Sequence, residues 1–358
     1  MTMSPQRCVM LIPSLEPDER LPKYVQALLD KGFETIVVVD DGSSEAFQAV
    51  FRQLEEMQGC HVLHHDVNHG KGVALKTGYA WIRDNCPEAT GVITADADGQ
   101  HTVEDCWKLA EALATGKRAL YLGSRDFSLP HVPPRSRTGN RITSVVFKLL
   151  HGVWLTDTQT GLRAFLMQDL PFMLNVEGER YEYEMNVLIA CAREKLPMVP
   201  ITIETVYENN NEGSHFHPIK DSMKIYKVIF RSFIRFTGAA LLCFLIDWGL
   251  EQLFAGVVFR GLAHRMRIGV ANLLARVLSS VCNFTLNRNV VFKQKSNLGG
   301  AIWKYALLCV VVLCASIAGQ WLLTGLGMAE WLAKPLCDII LYLLNFRIQN
   351  KWVFKEAK

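Results

Sequence analysis

Between residues 7 and about 215, short apolar runs alternate with stretches of helical period. "CVMLIPS" (8–14) and "TIVVVDDGSS" (35–44) are apolar until they stop at turn chemistry. The first is followed by "LPKYVQALLDKG" (21–32), which has a helical apolar spacing and a closing glycine. "GVITADADGQH" (91–101) and "RALYLGSRD" (118–126) repeat the pattern, with "TVEDCWKLAEALATG" (102–116) as the helix between them. Strands this uniformly apolar are covered on both faces, so the alternation predicts an α/β domain around a mostly parallel sheet. In such sheets ligands bind beyond the C-terminal strand ends. Three of these ends carry charge: Asp40 with Asp41, Asp96 with Asp98, and Arg125.

From about residue 233 the pattern changes. Segments 236–259, 268–286, 305–327 and 331–346 are apolar over roughly the 20 residues needed to cross a bilayer as a helix. "NFTLNRNVVFK" (283–293) and "NFRIQNKWVFK" (345–355) share Asn-Phe, Val-Phe-Lys and the spacing between them. The second half therefore reads as two copies of a two-helix unit, giving four spans. Arg231, Arg235, Arg288, Lys304, Arg347 and neighbouring basic residues would then share the cytoplasmic side, against Arg260, Arg265 and Arg267 on the other. Arg276 and Asp338 stand at equivalent places, seven residues before each Asn-Phe, where they can pair with each other. Between the halves, "FHPIKDSMKIYKVIFRSFIRF" (216–236) has the composition of a basic amphipathic helix lying in the headgroup plane. "NRITSVVFKLLHGVWL" (140–155) fits either a second such segment or a core helix. The expected division is 1–215 catalytic, 216–235 interfacial and 236–358 membrane.

Composition sharpens this picture at two points. A formal charge of only +3 argues against a nucleic-acid partner. The ten cysteines include no CxxC pair and fall partly in apolar stretches, which fits reduced thiols and a cytoplasmic first domain.

The candidate chemistry centres on Asp96-Ala97-Asp98-Gly99-Gln100-His101. Adjacent carboxylates raise each other's pKa unless a cation lies between them. Alternate residues of an extended segment point the same way, so Asp96, Asp98 and Gln100 can converge on one hard divalent ion. A carboxylate at Asp40 or Asp41 can accept from a ribose or a base edge, and one of the pair can instead shape the turn. "NHGKGVALKTGYAW" (68–81) brings a glycine-lysine turn, including Lys71, close to a nucleotide without matching a P-loop.

In this order "IPSLEP", "VVVDDGSS", "NHGKG", "DADGQ", "GSRD" and "DTQTGLRAF" resemble a family-2 glycosyltransferase of the GT-A fold. The closest type is the polyprenyl-phosphate sugar synthases, such as dolichyl-phosphate mannose synthase. Residues from about 236 are similar to GtrA-like four-helix membrane domains. The resemblance implies an inverting, metal-dependent transfer from a nucleotide-diphosphate sugar to a polyprenyl phosphate at the cytoplasmic membrane face. It also implies that Pro13, Glu16 and Asp40, with Asp41, Lys71 and Ala97, hold the donor. Asp96, Asp98 and Gln100 would hold Mg²⁺ or Mn²⁺, with Asp98 catalytic. Arg125 with Arg137 or Arg141 would grip the acceptor phosphate, as planar guanidinium donors suit phosphate oxygens. Where the family has arginine before Gly-x-Ser-Lys, the chain reads "ENNNEGSHFHP" (208–218), so Ser214 is kept and His215 replaces the lysine on the donor side. The sugar, the choice of GDP or UDP, and whether the membrane half flips product, oligomerises or anchors stay open. The alternative from another class is a flippase of lipid-linked sugar with a nucleotide-sugar-binding domain, to which the charges inside the spans lend weight.

Overall fold

Seven strands form one sheet: β1 (Cys8–Ser14), β2 (Thr35–Asp40), β3 (Cys60–His64), β4 (Gly91–Thr94), β5 (Leu120–Arg125), β6 (Arg163–Leu166) and β7 (Met198–Ile203), in the order β3-β2-β1-β4-β6-β5-β7. They are seen in a computed structural model that describes residues 3–130, 132–204, 218–261, 263–292 and 298–354. By internal contacts the chain divides into two units, Met1–Ile229 and Phe230–Lys358. That boundary falls inside the stretch 216–236, whose residues from Pro218 onward belong to one long helix.

The sheet is parallel except at β6, which is antiparallel to both β4 and β5. Seven helices accompany it: α1 (Arg20–Lys31), α2 (Gln48–Glu55), α3 (Lys71–Asn85), α4 (Val103–Ala114), α5 (Pro134–His151), α6 (Leu170–Leu174) and α7 (Glu182–Glu194). Side chains of a strand alternate between faces. Met10, Ile12, Ile36, Val38 and Ile93 accordingly meet apolar residues of α1, α2 and α4. Leu11 points the other way, against Gly78 of α3, where a Cβ would lie 2.2 Å from its Cδ1. The double covering explains why β1, β2 and β4 read as unbroken apolar runs. α1 ends at Gly32, whose φ of 115° supplies the left-handed turn expected of that glycine.

In the second unit α8 (Pro218–Leu253), α9 (His264–Leu286), α10 (Leu298–Gly325) and α11 (Glu330–Ile348) follow one another. Among the described residues, two helical stretches are long and apolar enough to cross a bilayer, Ile229–Val258 and Leu298–Gly325. The other two expected spans are helical but lack the hydropathy of those two, because charges such as Arg276 and Asp338 interrupt their apolar runs. Arg276 does not pair with Asp338. Its guanidinium lies 3.4 Å from Asp247, whose other oxygen accepts from Ser279 Oγ at 2.9 Å. Asp338 accepts from Ser316 Oγ at 3.1 Å. A neighbouring serine thus meets each acid, and Asp247 is met by a guanidinium as well.

The sequence repeat has a physical counterpart. Asn287 and Gln349 occupy matching positions and meet at 3.1 Å, Nδ2 to Oε1, each almost fully buried. Phe292 stacks on its counterpart Phe354 at 5.2 Å, while Phe284 meets Phe354 and Phe346 meets Phe292. Both motifs are also π-helical, at Asn287–Val291 and Gln349–Val353.

Candidate active site

Parallel strands carry their C-terminal ends to one edge, so β2, β1 and β4, adjacent in the sheet, deliver Asp40, Ser14 and Asp96 to one place. A cavity of about 240 Å³ opens there. Pro13, Glu16, Asp41, Lys71, Asp96, Ala97 and Asp98 line it, as do Ser14, Arg180 and Tyr181.

At its centre Lys71 Nζ lies 2.6 Å from Asp96 Oδ1 and 3.0 Å from Glu184 Oε1. His101 Nε2 approaches Asp96 Oδ2 at 3.3 Å. Burial favours a neutral Asp96, but the charge of Lys71, with His101, outweighs it and holds the carboxyl far below the usual range. Burial likewise opposes the Lys71 charge, and the two carboxylates overcome it and raise its pKa. Asp98 goes the other way: burial and then the charge of Asp96 push its pKa up. One carboxylate is thus ionised and neutralised, while the other faces the same cavity short of positive charge. Two oxygen donors, one of them made proton-hungry by burial and then by its neighbour, fit a hard cation. Gln100 does not line the cavity, and its backbone N–H donates to Asp98 Oδ1 at 3.1 Å. No group of three His, Cys, Asp or Glu gathers as a ligand set among the described residues.

Asp40 and Asp41 divide their work differently from the expectation. Asp40 does not line the cavity. Its Oδ1 accepts from the Ser43 N–H at 2.8 Å, and its Oδ2 from Gln48 Nε2 at 3.1 Å and faces His64 Nδ1 at 3.0 Å. Burial would raise its pKa, yet these hydrogen bonds keep it below the ordinary value. Asp41 does line the cavity and accepts from the backbone of Gly70 at 2.7 Å and His69 at 3.0 Å, with His65 Nδ1 at 2.8 Å. It therefore clamps the loop that ends at Lys71. Gly70 has a φ of 102° and packs against Glu179 and Arg180, where a Cβ would lie 2.5 Å from Arg180 Cγ.

The antiparallel β6 explains how "DTQTGLRAF" reaches this edge. Running opposite to β4, it begins beside the end of β4, with Arg163 registered on Thr94. Thr94 Oγ1 donates to Gly161 O at 2.8 Å. A Cβ on Gly161 would lie 2.3 Å from an oxygen of Asp96, so only glycine lets this turn approach the carboxylate.

The expected acceptor arginines lie outside the cavity. Arg125 stands on β5, separated from β4 by β6, and makes a two-pronged ion pair with the buried Asp157 at 2.7 and 3.2 Å. Arg137 donates to Leu129 O at 3.0 Å from the exposed face of α5, where Arg141 is also exposed. Ser214 and His215 lie outside the described residues. The residues missed in the sequence are Arg180, Tyr181 and Glu184 of "GERYEYE" (178–184), His101, and Ser14, whose buried Oγ has no hydrogen-bond partner among the described residues. Alternating charges and tyrosines at 178–184 were the available signal.

Residues 10–172 match the family described as "Glycosyl transferase family 2", and residues 235–354 match "GtrA/DPMS, transmembrane domain". A UDP-N-acetylglucosamine–dolichyl-phosphate N-acetylglucosaminyltransferase of Methanococcus voltae is 27% identical over 222 residues, covering 57% of this chain and 88% of the relative. An undecaprenyl-phosphate mannosyltransferase of Micrococcus luteus is 28% identical over 206 residues, 55% of this chain and 83% of its own. A polyprenol monophosphomannose synthase of Mycolicibacterium smegmatis is 29% identical over 167 residues, 45% of this chain and 62% of its own.

Proposed function

We propose, from the premise that this glycosyltransferase joins a family 2 domain to a GtrA/DPMS transmembrane domain, that it transfers a sugar from a nucleoside diphosphate to a polyprenyl phosphate with inversion, at the cytoplasmic membrane face. The observation that carries this reading is the cavity in which Asp96, Asp98 and Lys71 meet at the sheet edge. The names of the relatives, all acting on polyprenyl phosphates, supply the acceptor class.

Asp96 and Asp98 would hold a divalent cation, Mg²⁺ or Mn²⁺, which supplies Lewis-acid stabilisation of the departing diphosphate. Lys71, held between Asp96 and Glu184, adds a fixed ammonium beside them. Arg180 lines the same cavity and offers planar donors to phosphate oxygens. Pro13, Glu16 and Asp41 border the nucleoside end; Asp41 does so chiefly by fixing the Lys71 loop, since its oxygens are taken by His65, His69 and Gly70. Asp40 braces the strand end behind it. The acceptor is already anionic at neutral pH, so no strong general base is required. The residues' task is alignment and charge neutralisation. Arg125 serves by bracing the 157–162 loop through Asp157, leaving Arg137 and Arg141 as the cations open to an acceptor phosphate. The membrane unit is read as four spans with both termini cytoplasmic, anchoring the reaction at the bilayer.

The test is incubation of membranes carrying the protein with labelled nucleotide sugars and undecaprenyl phosphate. Labelled lipid should form without an ion gradient, and cease with EDTA or with Asp98→Ala while the variant stays folded and membrane-bound. Turnover in EDTA would remove the cation from the scheme. Absence of labelled lipid with every donor would favour the flippase reading, to which the Asp247–Arg276 pair inside the membrane unit lends its weight.

A further inference from the structure

Arg163 opens β6 and is only 5% exposed, with no carboxylate in ion-pair contact with it among the described residues. Ala164 and Leu166 belong to the apolar cluster on the α4 side, so Arg163 and Phe165 point to the other face of the sheet. Phe165 uses that face ordinarily, edge-on to Tyr79 of α3 at 5.4 Å. A hydrophobic residue at 163 would complete the pattern. A guanidinium buried there is costly unless its donors are met. Two backbone carbonyls meet them: Nε donates to Thr160 O at 2.9 Å and Nη1 to Glu184 O at 2.6 Å. Thr160 precedes Gly161, the residue that lies against the Asp96 carboxylate. Glu184 is the third residue of α7, and its own carboxylate holds Lys71 at 3.0 Å. One planar fork thus ties together the two backbone segments that flank the Lys71–Asp96 contact. The space beside it, about 10 Å³ bordered by Tyr79, Thr94 and Glu184, is no more than one water molecule needs.

We propose that Arg163 is a positioning residue: through the carbonyls of Thr160 and Glu184 it fixes the beginning of α7 against the turn beside Asp96, and so sets where the Lys71 ammonium stands in the cavity. It touches neither Lys71 nor Asp96 and acts through the residue whose carbonyl it holds and whose carboxylate holds the lysine. Its part in turnover rests on the reading of the cavity given above; its hold on Lys71 does not.

The full chain is reconstituted in nanodiscs and treated with a small amine-acylating reagent, and the rates at Lys71 and Lys31 are read by mass spectrometry. Lys71 is 17% exposed; Lys31, 29% exposed and paired with Glu104, reports on the packing of α1 with α4. Arg163→Gln should leave Lys31 unchanged and raise the rate at Lys71 by at least about tenfold, the effect on a local opening of removing hydrogen bonds made by a charged group. Arg163→Lys keeps the charge but not the planar fork, and should give a smaller rise in the same direction. An unchanged rate at Lys71 in a folded variant overturns the proposal. An equal rise at both lysines, or failure of both variants to fold, also overturns it, since either would make the arginine a general support of the core. With labelled nucleotide sugar and undecaprenyl phosphate, Arg163→Gln should cost about tenfold in turnover in the wild type and almost nothing further in Lys71→Met, because groups that act through one another do not add. Equal losses in the two backgrounds overturn the proposal. A wild type without turnover counts against the proposed reaction alone, and the labelling of Lys71 then decides.

Discussion

At the scale of single residues, charge is arranged in two tiers around the cavity. The inner tier is Lys71 between Asp96 and Glu184. Lys71→Met keeps most of the side-chain length but leaves two partly buried carboxylates without their cation, a change that costs several kcal/mol when such a pair is fully buried. We expect donor turnover to fall by at least about a hundredfold, as removal of a fixed charge-stabilising group does elsewhere; Lys71→Arg should restore part of it. Equal activity of the wild type and Lys71→Met would show that the ammonium has no part in the reaction. The outer tier is His64, whose ring joins Asp40 at 3.0 Å and Glu55 at 3.1 Å. Burial opposes its charge, but the two carboxylates prevail and raise its pKa above the ordinary 6.5. A raised pKa stabilises the fold fully below about 6.5, and that contribution fades as pH rises through the folded value. His64→Gln should therefore lower the melting temperature more at pH 6 than at pH 8.5, measured by calorimetry at both. An equal decrease at the two pH values would mean that packing, not protonation, is what the ring contributes.

At the scale of elements, the placement of chemistry follows strand direction. β1, β2 and β4 were legible because burial on both faces writes an unbroken apolar run, and their charged ends were legible because charge after such a run has few structural uses. The antiparallel course of β6 was not legible. "RAFL" is four buried residues whose pattern is the same in either direction, and only its pairing with Thr94 and Leu122 fixes the sense. Arg125 was misplaced for the same reason: a strand-end arginine next in sequence order to the Asp96 segment is not its neighbour once β6 intervenes. The role of "GERYEYE" was hidden because its contact with Lys71 spans more than a hundred residues and no local period encodes it. The β6 turn itself is testable. Gly161→Ala would put a Cβ 2.3 Å from the Asp96 carboxylate. The carboxylate, at the end of a side chain, should yield before the backbone does, and a displacement near 1 Å can cost about a hundredfold in rate. Steady-state assays should show that loss in kcat with a melting temperature close to wild type. A variant that unfolds instead would mean the turn serves stability first.

At the scale of the whole molecule, the proposed reaction requires a soluble donor and a bilayer-resident acceptor to meet on one side of the membrane. The match to the family 2 model ends at residue 172 and that to the GtrA/DPMS model begins at 235, and the stretch 216–236, rich in lysine and arginine, lies between them. Arg231, Arg235, Arg288, Lys304 and Arg347 all fall near those ends of the four expected spans that an even number of crossings would bring to the same face. If the two helices of lower hydropathy also cross, the repeats come to lie in the same orientation, which is consistent with the contact of Asn287 with Gln349 and of Phe292 with Phe354 near matching helix ends. Crossing by only the two most apolar helices would keep the parity but leave α9 and α11 at the surface, with Asp338 of α11 in a wetter setting. Sealed vesicles of opposite sidedness separate these topologies from a reversed one. An impermeant labelled nucleotide sugar should yield labelled lipid in inside-out vesicles and almost none in right-side-out vesicles until they are permeabilised. Comparable labelling of intact right-side-out vesicles would place the cavity on the outer face and reverse the charge argument, since the basic residues would then have been translocated with it.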